Sequence, residues 1–335
     1  MTGLQGDPMD TSYEVQMDKA HLSRRHILGA SAAALFGGML PKSVRASVAS
    51  TGQGADPFRY CLNTSTIRGQ NLPLDKEIEV AAQAGYNAIE PWVGKVQDYE
   101  KGGGNLRDIK KLLDDRGLTV ESAITFPSWI VDDDAQRARG VEQIKQEMDL
   151  LARIGGKRIA APPAGINRGQ IVDLAAAAHR YRAILEIGDA SGVTPELEIW
   201  GGSTTLHLLG QAMYVVIESG HPKACLLPDV YHIYKGGGSH TGLRHISAGC
   251  IQVLHMNDYP ADPPRERIGD GDRVMPGDGI APTTQILRDM LDNHSRAVLS
   301  LELFSRTYWE RPALDVAKEG LAKMKAEVAK AIAAG

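Results

Sequence analysis

Four polar side chains close four successive apolar runs: Glu198 in LEIWG, Asp229 in LLPDVYH, His255 in VLHMND and Glu302 in LSLELF. Three carboxylates and an imidazole, with no thiolate among them, suit one divalent cation in a site open to substrate oxygens. Such a donor set favours Mn²⁺, with Mg²⁺ or Co²⁺ as alternatives, over a closed structural zinc site. If each run is a parallel strand followed by a helix, all four groups stand at carboxyl ends, where an α/β barrel gathers its chemistry. A metal enzyme is the expectation.

The rest of the chain supplies elements able to position these groups. Strands are expected at Phe58–Asn63, Tyr86–Val93, Thr119–Thr125, Lys157–Ala161, Pro195–Trp200, Ala224–Val230, Cys250–Met256 and Ala297–Phe304. Helices are expected at Leu74–Ala84, Leu106–Arg116, Ala135–Ile154, Gln170–Ala190, Thr204–Ser219, Leu243–Ala248, Pro282–Asn293 and Ala313–Ala334. Gly85, Gly117 and Gly192 fall where helices should stop, and Pro162-Pro163 ends the fourth strand. Short apolar runs bounded by turn signals and alternating with helices read as buried parallel strands. Eight such units favour an α/β fold closed as a (β/α)₈ TIM barrel over a doubly wound sheet. The glycine triplets at 102–104 and 236–238 lack the strand-to-helix setting of a dinucleotide fingerprint.

A chain of 335 residues accommodates one such barrel with a leader segment. Its net charge of −4 offers no broad cationic surface, which argues against nucleic acid and for a small-molecule substrate. Cys61, Cys225 and Cys250 lie in or beside apolar runs and read as buried thiols rather than a disulfide framework. Residues 1–46 resemble a twin-arginine export signal: Arg24-Arg25 precede an Ala/Gly-rich stretch to Leu40, and Val44-Arg45-Ala46 forms a small-residue cleavage site. Residues 47–57 then serve as linker and 58–335 as barrel, and export to the periplasm is the expectation. The apolar stretch is too short for a stable membrane span, which needs roughly 20 residues.

From Phe58 to the C-terminus the chain resembles the sugar phosphate isomerase/epimerase branch of the xylose-isomerase-like barrels. The resemblance rests on LEIWG, on PDVYH with Asp229 and His232, on HMND with His255 and Asp258, on RVMPGDG from Arg273 to Gly279, and on LELF. It implies that Glu198, Asp229, His255 and Glu302 hold the metal, and that Glu198 and Glu302 also act as acid and base on opposite sides of a sugar. Moving a proton beside a carbonyl needs such a pair, together with a cation that stabilises the enediolate charge. A homo-oligomer is common in that family. The resemblance leaves substrate orientation open, because Gly201-Gly202-Ser203-Thr204 stands where free-ketose epimerases carry a further glutamate.

Six residues are expected around the substrate. His232 would emerge just past the sixth strand, to meet a hydroxyl or to hydrogen-bond the metal ligands. Glu90 ends the second strand and could meet a sugar hydroxyl, and Trp92 and Trp200 offer flat faces to a sugar ring. Asp258 and Arg273 follow from the resembling segments. The expected activity is isomerisation or epimerisation of a non-phosphorylated sugar or keto-sugar. A lyase acting on 3-keto-glycosides through the same metal and glutamates is the alternative. A barrel endonuclease would want more ligands and a basic groove, and a non-catalytic sugar-binding barrel would use the carboxylates only to bind hydroxyls.

Overall fold

The computed structural model describes residues 56–166 and 169–335, so the expected export signal lies outside the described residues. The first half contains β1 (Arg59–Asn63), α1 (Leu74–Ala84), β2 (Ala88–Glu90), α2 (Val93–Lys101), α3 (Leu106–Asp115), β3 (Thr119–Val120), α4 (Asp134–Ala152), β4 (Arg158–Ala161) and α5 (Leu174–Ser191). The second half contains β5 (Thr194–Glu198), α6 (Leu209–Glu218), β6 (Leu226–Leu227), α7 (Val230–Lys235), β7 (Val253–Met256), α8 (Thr283–Asp292), β8 (Val298–Leu301), α9 (Arg306–Trp309) and α10 (Ala313–Ala333).

All strand pairs are parallel, in the orders β3-β2-β1-β8-β7 and β4-β5-β6. Isolated bridges Leu226↔Ile251 and Asp229↔His255 join β6 to β7. Across the other seam, the Ala160 amide donates to the Ala123 carbonyl at 2.9 Å. The result is a closed TIM barrel.

Alternation along the strands divides the core. One large apolar cluster, including Leu62, Ile89, Leu197 and Leu254, packs with the buried faces of the helices. A second, built from Cys61, Ala88, Ala160, Leu227, Val253 and Val298, is made by residues two apart from the polar side chains that face inward. The helices stop and start by local chemistry. Asn105, Asp133 and Asp173 cap α3, α4 and α5 by accepting backbone N–H groups. Gly85 and Gly192 end α1 and α5 at φ +95° and +75°, a left-handed conformation that glycine adopts without a Cβ penalty.

Several strands are shorter than the apolar runs suggest, because those runs continue beyond the last ladder hydrogen bond into the mouths of the barrel. The short helices α2, α7 and α9 were not expected, and the helix expected at Leu243–Ala248 is a 3₁₀ turn over His240–His245. Each is too brief or too polar to display a helical apolar period. All three cysteines are free, and Cys250 lies in a 3₁₀ turn rather than a strand. Among the described residues no helix is long and apolar enough to cross a membrane.

Candidate metal centre

Asp229 sits one residue beyond the β6 Leu-Leu-Pro segment and serves two ends at once. Its Oδ1 caps α7 by accepting the His232 amide at 2.8 Å. Its Oδ2 accepts from Asn257 Nδ2 at 3.1 Å and from Arg273 Nη1 at 3.0 Å. His255 lies in β7 and Glu302 directly follows β8. The three residues offer donor atoms that all lie within 4.8 Å of one another.

His255 Nδ1 is buried without a hydrogen-bond partner. It stands 3.3 Å from Glu302 Oε2, 3.6 Å from Asp229 Oδ2 and 3.9 Å from Glu198 Oε1. An unpartnered ring nitrogen facing three carboxylates is the donor arrangement a divalent cation requires, so the residues fit the expected metal. Glu198, at the end of β5, belongs to the same cluster through His255, although the tight trio is Asp229, His255 and Glu302.

The electrostatics reflect this crowding. Burial pushes the Glu198 carboxyl well above its ordinary range; His255 opposes the shift, and Glu302 and Asp229 add to it. Burial acts the same way on Asp229, but Arg273, His232 and His255 outweigh it and hold the acid far below the usual range. His255 is raised well above the ordinary imidazole value: burial opposes the charge, yet Glu302, Glu90 and Asp229 prevail.

Three of the residues expected at the substrate have other partners. Glu90 is fully buried and does not reach the cavity; its carboxylate takes His255 Nε2 at 3.1 and 3.2 Å, Ser300 Oγ at 2.6 Å and Asn63 Nδ2 at 3.0 Å. Asp258 is likewise fully buried, and its oxygens accept the amides of Tyr259, Gly277, Gly279 and Ala281, pinning the loop after β7. Four backbone donors leave it no role against a ligand. Arg273 lines the cavity but is only 1 % exposed. Its Nη1 bridges Asp229 and Glu302 at 3.0 and 2.8 Å, and its Nη2 reaches Asp270 at 2.6 Å and His232 Nε2 at 3.1 Å. It is part of the charge cluster rather than a free loop arginine.

Above the cluster opens a cavity of about 410 Å³ whose lining includes Glu198, Glu302, His232, Trp92 and Trp200. Phe126 joins the two tryptophans, with ring centroids 5.3 Å from Trp92 and 5.8 Å from Trp200, and it is 42 % exposed. Phe304 and Tyr231 complete an aromatic wall. Sequence reasoning missed Asn63, Phe126, Tyr231, Asn257, Ser300 and Phe304 as site residues. Asn63 carried a usable signal, since it too is a polar residue closing an apolar strand.

Residues 78–327 match the family described as xylose isomerase-like TIM barrel. The chain belongs to that family. The inosose isomerase of Halalkalibacterium halodurans is 24% identical over 269 residues, spanning 78% of this chain and 93% of the relative. Fructoselysine 3-epimerase of Escherichia coli O157:H7 is 22% identical over 283 residues, spanning 78% and 96%. A crystal structure of an IOLI protein with a binding zinc atom aligns with a TM-score of 0.74 at 22% identity, covering 81% of this chain and 98% of that one. That likeness shows the same overall fold, in agreement with the strand pairing.

Proposed function

We propose that this chain is a divalent-metal-dependent isomerase or epimerase of a neutral sugar or keto-sugar. The observation that carries the reading is the convergence of Glu198, Asp229 and Glu302 on the unpartnered Nδ1 of His255, with Glu198 and Glu302 lining an aromatic-walled cavity and Asp229 and His255 buried behind them. The relatives named inosose isomerase and fructoselysine 3-epimerase support the same class of chemistry.

Asp229, His255, Glu302 and Glu198 would hold the ion, which when bound supplies positive charge to the oxygens of a substrate whose neighbouring C–H must be broken. The chain's own residues do the rest. Glu198 comes from β5 and Glu302 from β8, so the two carboxyl groups approach the cavity from different strands and can remove and return a proton. Glu302 is fixed at both oxygens, Oε1 by Asn63 at 3.2 Å and Oε2 by Arg273 at 2.8 Å, which holds it to the tolerance proton transfer demands. His232 and the aromatic faces orient the sugar.

A neutral substrate fits the charges. Among the described residues, the two cations that line the cavity are engaged: Arg273 by the carboxylates, and Lys235 Nζ by the carbonyls of Arg265, Glu266 and Ile268 at 3.0, 3.2 and 2.7 Å. Neither is left for a phosphate. A second reading, elimination of a leaving group from a 3-keto-glycoside, uses the same glutamates and is favoured by the exposed Phe126 beside the two tryptophans, which offers that group an apolar surface. Deuterium wash-in over free sugars, inososes and 3-keto-glycosides with Mn²⁺ present tests both. Exchange without release identifies an isomerase or epimerase, exchange with aglycone release identifies the lyase, and no exchange in any class rejects the proposal.

A further inference from the structure

We propose that Glu90, Ser300 and Asn63 form a positioning bracket that fixes His255 with its proton on Nε2 and its Nδ1 lone pair toward the ion, and that ties the same carboxylate to Glu302. The inference rests on the reading of the cluster as a metal centre. It goes beyond that reading by assigning the second layer of residues that gives the ligands their orientation.

Neighbouring strands bring the bracket together. Asn63 on β1 pairs in register with Glu90 on β2, and Ser300 on β8 pairs in register with His255 on β7. All four residues are fully buried. Glu90 receives Ser300 Oγ at 2.6 Å and Asn63 Nδ2 at 3.0 Å, so its surroundings consist of donors and it acts as an acceptor. His255 Nε2, 3.1 and 3.2 Å from the two Glu90 oxygens, must then be the N–H side of the ring. That assignment leaves Nδ1 as the ligand atom. Without Glu90 the ring could place its proton on either nitrogen, and the Nδ1–H form cannot ligate.

Asn63 extends the bracket to the other side of the site. Its Oδ1 accepts the Ser65 amide at 3.0 Å, which decides the orientation of the side-chain amide and turns its NH₂ toward the carboxylates. Of the two N–H bonds on Nδ2, one serves Glu90 Oε2 at 3.0 Å and the other Glu302 Oε1 at 3.2 Å. One amide group therefore sets the spacing between the carboxylate behind the imidazole and a carboxylate in front of it.

The test uses the full chain, with Zn²⁺ alone as probe. Zn²⁺ affinity is measured by competition with a chromophoric chelator for wild type, Glu90→Ala, Glu90→Gln and Ser300→Ala, and the His255 ring nitrogens are followed by ¹⁵N NMR. Loss of an outer carboxylate on a metal-ligating histidine costs about 10–100-fold in affinity, and Glu90→Ala should show a loss of that size. Glu90→Gln should lose less because it keeps an acceptor oxygen, and Ser300→Ala least. Zn²⁺-loaded wild type should show one ring form with Nε2 protonated, and Glu90→Ala a mixture before Zn²⁺ is added. Unchanged Zn²⁺ affinity in Glu90→Ala and Glu90→Gln, or a wild-type ring whose Nε2 carries no proton, would overturn the bracket. If Glu90→Ala fails to fold, the wild-type spectrum and the Ser300→Ala affinity decide. A wild type that binds no Zn²⁺ would reject the metal centre instead, and the ring spectrum would still judge the bracket.

Discussion

At the N-terminal mouth of the barrel the buried carboxylate of Glu121 is met by three cations, Arg59, Lys157 at 2.7 Å and Arg158 at 3.5 Å, and by the Thr119 hydroxyl at 2.6 Å. At the C-terminal mouth Glu198, Asp229 and Glu302 face one imidazole and one guanidinium. Burial alone raises a carboxyl pKa, and both mouths bury their acids; what differs is the supply of positive charge. Glu121 is pulled down to about 2, despite its burial, by hydrogen bonds from Lys157, Thr119 and Arg59, whereas Glu198 is left high. One end is neutralised by the chain itself, and the other is short of a cation. Acidic crowding that the chain does not neutralise is what separates a binding site from a structural plug.

The comparison breaks most decisively if the C-terminal cluster is dismantled. An Asp229→Ala, His255→Ala double variant should bind no divalent ion and show no turnover, while elemental analysis of wild type purified without chelator should find about one ion per chain. An ion retained by the double variant would place the site elsewhere. Next in size are Glu198→Gln and Glu302→Gln, which keep shape but cannot cycle a proton. Each should lower kcat by about 10²–10⁴-fold with the ion still bound. If either retains full deuterium exchange, that glutamate is not one of the pair.

At the opposite mouth the readout is stability. Glu121→Gln leaves three cations around a neutral amide and should cost about 1.5–3 kcal/mol near pH 7, the range for hydrogen bonds to charged groups. Because Glu121 has a depressed folded pKa of about 2 against an ordinary 4.5, its contribution is complete above pH 4.5 and fades as pH falls toward 2. Denaturant titrations of wild type and variant should therefore converge in acid. Curves that remain separated by the same amount at pH 2 and pH 7 would show that packing, not charge, makes the difference.

What could be read from the sequence follows the same division. The barrel and the strand-end positions of Glu198, Asp229, His255 and Glu302 were legible because strand, helix and strand end are local properties, and each of these residues closes an apolar run. The partners of those residues were not legible. Glu90 and His255 are 165 positions apart and Asn63 and Glu302 are 239 apart, so their meeting depends on the register with which the barrel closes. Arg273 and Asp258 sit in a polar loop with no apolar pattern to announce burial, and only the folded loop shows that one joins the charge cluster and the other clamps backbone amides. Phe126 follows β3 as an isolated aromatic, and nothing nearby indicates that it completes a wall with two distant tryptophans.

Glu196, two residues before Glu198 on β5, sharpens the contrast on a single strand. It is fully buried, neither oxygen has a hydrogen-bond partner, and its nearest cation is Arg158 at 3.8 Å. Burial raises its carboxyl to about 8 from an ordinary 4.5, with Arg158 opposing and Glu90 adding to the rise. The folded chain thus keeps a proton that the unfolded chain releases near pH 4.5, so the folded state binds more protons between these values and stability must fall as pH rises through the window. Glutamine copies the protonated acid and cannot ionise. Glu196→Gln should match wild type in thermal stability near pH 4.5 and then gain on it steadily up to pH 8, ending about 2–4 °C higher in Tm for each kcal/mol relieved. Melts run with chelator present keep metal binding at the neighbouring site from contributing. Parallel melting curves across that range would mean that Glu196 finds its charge partner after all, and that the shortage of cations is confined to the outer end of the strand.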